Sequence, residues 1–181
     1  MSESVDIVLG ISGSIAAYKS ADLVRKMSER SWAVSVMMTQ AATKYVGPLT
    51  FQALTGREVA YGRFEDLPSA VFQHIDLARH ADAILIAPCT ANVLAKLAHG
   101  FADDVLTSTV LACDKPVIVA PAMNTKMWEN AATRDNVALL KERGVHVLDV
   151  GEGDLACGEV GAGRLLEVER IIGAVEAILS G

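Results

Sequence analysis

The sequence predicts a single doubly wound α/β domain, with a parallel sheet covered by helices on both faces. Three observations carry that expectation. Apolar runs of strand length recur at 5–10, 33–38, 83–87, 117–120 and 145–150, and two of them, AILIA and VIVA, are apolar throughout, as strands buried on both faces are. Segments with apolar residues at helical spacing lie between these runs. The length of 181 residues suits one domain, at roughly 100–200 residues each.

Taken in order, residues 5–10 end in Gly10, and from Ser14 onward Ala16, Leu23, Val24 and Met27 fall at helical spacing. That is a strand, a glycine turn and a helix. A second strand follows at 33–38. Helix candidates fill the remaining intervals at 41–46, 49–54, after Phe72, and at 92–98, 103–111 and 133–143, the last stopped by Gly144. Val168, Ile171, Ile172, Val175 and Ile178 stay in step along a terminal amphipathic helix. Strands alternating with helices imply right-handed crossovers and an arrangement of the Rossmann-like or flavodoxin-like kind. The stretch 151–163, with five glycines and little apolar content, reads as a mobile loop.

Composition removes several function classes. The chain is 51% hydrophobic and 21% charged, with a mean hydropathy of +0.33. That excludes disorder and leaves more apolar surface than a monomer ordinarily hides, so a two-sided buried sheet, a subunit interface, or both are expected. Sixteen Lys and Arg against twenty-two Asp and Glu give a net charge of −6, with no basic stripe to neutralise the phosphates of a nucleic acid. The apolar runs fall far short of the ~20 residues that cross a bilayer. The first residues, Ser, Glu and Asp after Met1, are no secretory signal. Three cysteines, Cys89, Cys113 and Cys157, form no CxxC and no cluster with histidine, which argues for a reduced, cytoplasmic setting and against a metal site.

Ligands of doubly wound sheets sit beyond the carboxyl ends of the strands. After the first strand, Gly10-Ile11-Ser12-Gly13-Ser14-Ile15-Ala16 could bring backbone N–H groups to a phosphate or could be a serine-capped turn. It is neither a P-loop nor GxGxxG, and Met38 is followed by Thr39 and Gln40 rather than by the acid that holds a dinucleotide ribose. A mononucleotide fits better. After AILIA, Pro88-Cys89-Thr90-Ala91-Asn92 offers small polar groups to a heterocycle or caps a helix. After VIVA, Asn124 could hold a carboxylate or cap the next helix. The glycine-rich stretch carries Cys157, with Arg164 nearby, where a thiol could move a proton. His74 is the candidate base, while His80, His99 and His146 read as structural. HExxH and GxSxG do not occur, which removes zinc hydrolysis and the hydrolase elbow.

Together, GISGSIAAYK, His74 followed by Ile75, PCTANVLAKLAHGFADD, PAMNTKMW and ACGEVGAGR resemble the flavin-containing cysteine decarboxylase family, in its coenzyme A branch, over nearly the whole chain. Cys89-Thr90 departs from the Ala-Ser or Ser-Ala of many relatives but keeps a hydroxyl. The resemblance implies one flavoprotein domain over 1–181 with a flexible substrate clamp at about 151–164. It implies FMN held by Gly13, Ser14, Ile15, Thr39, Thr90, Ala91, Asn92 and Ala122. Substrate contacts would come from Met123, Asn124, Lys126, Asp154, Leu155 and Ala156.

The implied reaction turns 4′-phosphopantothenoyl-L-cysteine into 4′-phosphopantetheine. Direct loss of carbon dioxide would leave an unstabilised carbanion. Oxidation by flavin to a thioaldehyde provides the electron sink, and re-reduction of the resulting enethiolate closes a redox-neutral cycle. In the family's scheme Asn124 holds the departing carboxylate, His74 assists proton removal and Cys157 returns a proton. The resemblance further implies a trimer or a dodecamer built of trimers, with FMN between subunits, and a phosphopantothenate–cysteine ligase that is separate or fused. Three rivals on the same fold stand beside this reading: a peptidyl-cysteine decarboxylase of a lanthipeptide pathway, a flavin prenyltransferase, and a non-catalytic FMN-binding regulatory flavoprotein. The clamp ACGEVGAGR and the joint presence of His74, Asn124 and Cys157 favour the coenzyme A branch.

Overall fold

The computed structural model describes residues 4–62, 73–154, 158 and 160–181. Six parallel strands form the main sheet: β1 (Asp6–Ile11), β2 (Ala33–Met38), β3 (Ala60–Tyr61), β4 (Ala83–Cys89), β5 (Val117–Pro121) and β6 (His146–Val147). Their spatial order is β3-β2-β1-β4-β5-β6. The order therefore reverses between β1 and β4, which pair directly from Ile7 with Ala83 to Gly10 with Ile86. Loops leaving the carboxyl ends of those two strands diverge to opposite faces, and a crevice opens between them.

Side chains alternate across the sheet, and each set meets its own helices. Ile7, Leu9 and Ile11 of β1 and Leu85 and Ala87 of β4 join one core. Against it pack α1 (Lys19–Glu29), α2 (Pro48–Thr55) and α8 (Val168–Leu179), through Leu23, Phe51 and Ile171 among others. Val8, Ile84 and Ile86 face the other way, against α4 (Ala91–His99), α5 (Val105–Leu111) and α7 (Ala131–Glu142). Burial of both faces explains why AILIA and VIVA carry no polar residue: every position of β4 is buried. The doubly wound class expected from the sequence is the one found.

The remaining helices are short or lie on the second face. Among the described residues they are α3 (Gln73–His80), α6 (Thr125–Glu129) and two single-turn 3-10 helices, Ile15–Tyr18 and Ala42–Lys44. Only the latter stands where the sequence suggests a helix over 41–46. The strand expected at 145–150 shrinks to two residues, because β6 lies at the edge of the sheet with β5 as its one partner. The larger difference is at 151–163. Instead of a loop throughout, its arms form an antiparallel hairpin of β7 (Gly151–Asp154) and β8 (Val160–Arg164). Glycine makes that possible: Gly153 and Gly163 adopt φ of 133° and 129°, where a side chain is strained.

Candidate active site

The crevice is built first by a lock between the loops after β1 and β4. Ser12 is fully buried. Its hydroxyl donates to the Pro88 carbonyl at 2.7 Å and accepts from the Thr90 amide at 2.9 Å, while its own amide donates to Pro88 at 3.2 Å. Ser20, on α1, donates to the neighbouring Ala87 carbonyl at 2.7 Å. These hydroxyls satisfy carbonyls that the sheet cannot, since the β4–β5 register shifts after Ile86. Gly13 sits so close to the loop after β2 that a Cβ there would lie 2.5 Å from the Ala41 Cβ. Ser14 caps the first 3-10 turn by accepting from Ala16 at 3.2 Å, and Thr90 caps α4 by accepting from Val93 at 3.4 Å. The capping reading of both loops is thus realised, and the same geometry leaves them lining the crevice.

The third wall comes from β5 and the hairpin. The Ala122 amide donates to the Cys89 carbonyl at 3.0 Å, and the Met123 amide donates to the Gly163 carbonyl at 2.8 Å. Asn124 caps α6, its Oδ1 accepting from the Lys126 amide at 2.8 Å. With the oxygen so engaged, the amide nitrogen is the end suited to donate to an anion. Strand β8 approaches this loop so closely that a Cβ on Gly163 would stand 2.3 Å from the Met123 carbonyl, and one on Gly161 would stand 2.6 Å from the Thr125 hydroxyl. That hydroxyl is buried and has no hydrogen-bond partner among the described residues.

Two neighbouring cavities of about 410 and 420 Å³ result, sharing Gly13, Thr90 and Met127. The first is lined by Gly13, Ser14, Ile15, Thr90, Ala122, Met123 and Asn124, together with Lys19 and Arg164. The second is lined by Gly13, Thr39, Thr90, Ala91 and Asn92, with Lys96, Asp103 and Asp104. All eight positions expected to hold a cofactor therefore meet around one crevice. Lys126 is exposed and lines neither cavity. His74, on the first turn of α3, lines neither as well. Asp154 ends β7, while Leu155, Ala156 and Cys157 lie outside the described residues.

Charge in the crevice is distributed unevenly. Lys96 is clamped at 2.7 Å by both Asp103 oxygens and stands 3.6 Å from Asp104. Asp104 in turn caps α5 in a reciprocal box with Thr107. Lys19 is looser: its ammonium is buried without a hydrogen bond among the described residues, with Glu167 at 3.6 Å. Arg164 reaches the other oxygen of Glu167 at 3.2 Å. Lys19 and Lys96 stand inside motifs read from the sequence, and only the fold reveals that both point at the crevice. Cys89 is fully buried, and burial pushes its thiol far above the usual range, so it is a core residue without reactive thiolate. Among the described residues no metal-binding group of His, Cys, Asp and Glu occurs, and no helix is long and apolar enough to cross a membrane.

Comparison with known proteins adds the decisive observation. The flavoprotein family model matches residues 1–180. The chain belongs to the flavoprotein family. It is 48% identical over 170 residues to the coenzyme A biosynthesis bifunctional protein CoaBC of Vibrio vulnificus strain YJ016, covering 94% of this chain and 42% of that protein. The chain thus spans less than half the length of the bifunctional relatives it matches. It is 46% identical over 172 residues to a probable phosphopantothenoylcysteine decarboxylase of Streptococcus mutans, covering 94% of this chain and 96% of that one. Among solved structures, a PPC decarboxylase mutant complexed with pantothenoylaminoethenethiol superposes with a TM-score of 0.87 at 32% identity, covering 99% of this chain and 100% of the other. The family match agrees with the flavin-binding motifs read from the sequence.

Proposed function

We propose that this flavoprotein is an FMN-dependent decarboxylase that converts 4′-phosphopantothenoyl-L-cysteine to 4′-phosphopantetheine in coenzyme A biosynthesis. The observation that carries the reading is the meeting of all eight cofactor candidates with Asn124 around one crevice. The relatives named above, one of them matched over nearly its full length, support the same substrate class.

The residues present fit FMN. Gly13 leaves a cradle that any side chain would fill, and around it the Ser14 turn, Thr39 and Thr90 offer polar groups suited to a phosphate and a ribityl chain. The absence of an acidic residue after β2 disfavours a dinucleotide. Ala122, Ile15 and Met127 give the first cavity an apolar lining for a flat ring. When bound, the flavin supplies a hydride acceptor and, later, a hydride donor.

The protein's own part is positioning and proton movement. Asn124, its oxygen fixed by α6, donates from its amide to the substrate carboxylate and orients it for departure. Cys157, assigned by its sequence motif, returns a proton to the product carbon in a reduced compartment. His74 serves as base in the oxidative half. Since His74 lines neither cavity of its own chain, the reading includes a homo-oligomer, a trimer or a set of trimers, in which a neighbouring copy completes the site. The exposed Ile15, Tyr18, Tyr45 and Met127 around the cavity mouths suit such an interface.

Mass spectrometry of the flavin-loaded protein incubated with 4′-phosphopantothenoylcysteine tests the reading. A product lighter by one carbon dioxide is expected. Bound flavin without product, combined with turnover of peptides ending in cysteine, overturns it in favour of the lanthipeptide rival.

A further inference from the structure

Among the described residues, the second cavity takes its charge from one cluster. Lys96, Asp103 and Asp104 are charged, and the other residues that line it, Thr39, Thr90, Ala91 and Asn92 among them, are neutral. Lys19 and Arg164 line the first cavity and not this one. Lys96 stands one turn after Asn92 on the same face of α4. Its ammonium lies 2.7 Å from each Asp103 oxygen and 3.6 Å from Asp104. One ammonium against two carboxylates leaves a surplus of negative charge.

An ion pair of this kind ordinarily staples a turn, but the turn after α4 is already fastened. The Phe101 amide donates to the Lys96 carbonyl at 3.0 Å, and the Val105 amide donates to the Gly62 carbonyl at 3.2 Å. Asp104 is fixed separately, its Oδ1 accepting from the amide and the hydroxyl of Thr107 at 2.9 and 2.8 Å, so that Oδ2 is left facing the ammonium. Asp103 is 45% exposed, and bridges to exposed partners stabilise little. What the cluster does control is the field in the crevice. Thr90 and Met127 line both cavities, and Met127 belongs to the apolar lining given above to a flat ring, so the three charges act on that ring across a shared wall. A flavin gains negative charge on reduction unless a proton follows. A nearby cation therefore favours the reduced form, and nearby carboxylates favour the oxidised form.

We infer that Lys96 sets how readily a flavin in this crevice is reduced, with Asp103 and Asp104 as positioning residues that hold its charge in check. The proposed cycle takes up a hydride and later returns it, so it is served by a flavin that is neither a strong oxidant nor a strong reductant. An ammonium balanced by carboxylates provides that setting. Unopposed, the ammonium would favour the oxidative half and hold the flavin reduced; the carboxylates alone would hinder the oxidative half. The inference rests on the flavin reading, and on the decarboxylase reading for why the balance is useful.

Dye-coupled reduction of the FMN-loaded protein, followed by absorbance, reads the midpoint potential without turnover. Lys96→Met leaves the carboxylates unopposed and should weaken reduced FMN relative to oxidised FMN by about 10-fold, a fall of about 30 mV for a two-electron couple. Asp103→Asn leaves the ammonium and should move the same ratio by about as much in the other direction. Lys96→Arg should stay near the native value. The opposite signs separate tuning from stapling, because both variants break the same bridge and a staple responds alike to each. Shifts of the same sign, or none in either variant, would overturn the inference. So would equal changes in affinity for oxidised and reduced FMN, which assign the cluster to the cofactor's phosphate. If Lys96→Met does not fold or does not hold FMN, Asp103→Asn decides alone: a raised potential supports the inference, and an unchanged or lowered one overturns it. Opposite shifts in a protein that does not decarboxylate sink the functional reading alone; decarboxylation with unshifted potentials sinks the tuning alone.

Discussion

The two sides of the crevice are held together by different means. On the cofactor side, the loops after β1 and β4 come from paired neighbouring strands and are bolted by the three hydrogen bonds of buried Ser12. On the substrate side, the Met123–Asn124 loop after β5 meets β8, which belongs to a separate hairpin. A backbone bond from Met123 to Gly163 joins them, and close approach is possible because Gly161 and Gly163 have no side chains. The first wall is therefore part of the sheet's own architecture, whereas the second depends on docking. In the proposed reading, the loops that hold the cofactor are fixed by the sheet and the substrate wall by the docked hairpin, so changes in the hairpin should fall first on the substrate.

A matched pair of glycine substitutions gives the largest test of that division. Gly13→Ala places a Cβ 2.5 Å from Ala41 Cβ, and Gly163→Ala places one 2.3 Å from the Met123 carbonyl at a φ of 129°. Overpacking of this severity costs about 1–3 kcal/mol or more, with strain at positive φ adding about 1–3 kcal/mol in the second case. Gly13→Ala is expected to purify without its yellow colour. Gly163→Ala is expected to keep the flavin absorbance and lose turnover. Loss of flavin from both variants would show that the walls are one unit and erase the distinction.

Asn124→Asp addresses the substrate wall alone. Asp caps a helix about as well as Asn, so α6 and the fold should survive. A carboxylate at this place repels the departing carboxylate of the substrate. Turnover should fall by about 100-fold or more, as when an oriented donor is removed from a reacting anion, with flavin content and melting temperature unchanged. Near-normal rates in a stopped assay would reduce Asn124 to its capping role.

The same division governs what could be read from the sequence. The cofactor side is legible because its parts are local: a strand, a glycine turn and a capping hydroxyl stand in order at 6–14, a strand, a proline-bearing turn and a capping hydroxyl at 83–90, and the parallel topology then brings their ends together. β4 could be placed because burial on both faces forces a continuous apolar run. The docked hairpin was not legible. Its strands contain so many glycines that the usual apolar alternation is missing, and those glycines are required by contacts with a loop remote in sequence. The surroundings of Lys19 are hidden in the sequence for a related reason: only the fold brings Glu167 and Arg164 to the end of the first motif. His74 was legible as a candidate base, and its single-chain surroundings do not include the crevice.

The smallest expected effect belongs to Thr125→Val. The Thr125 hydroxyl is buried against Gly161 and finds no partner among the described residues. Burying an unpaired hydroxyl costs stability, and valine keeps nearly the same shape while removing it. Thermal unfolding of the flavin-loaded variant should therefore match the native protein to within about 1 kcal/mol, with any shift toward greater stability. A loss of substrate affinity at unchanged stability would sharpen the comparison further, because the hydroxyl would then be a donor kept for a ligand on the docked wall. A clear loss of stability would break the comparison instead: the hydroxyl would be part of what fastens the hairpin, and the substrate wall would rest on side-chain hydrogen bonding as the cofactor wall does.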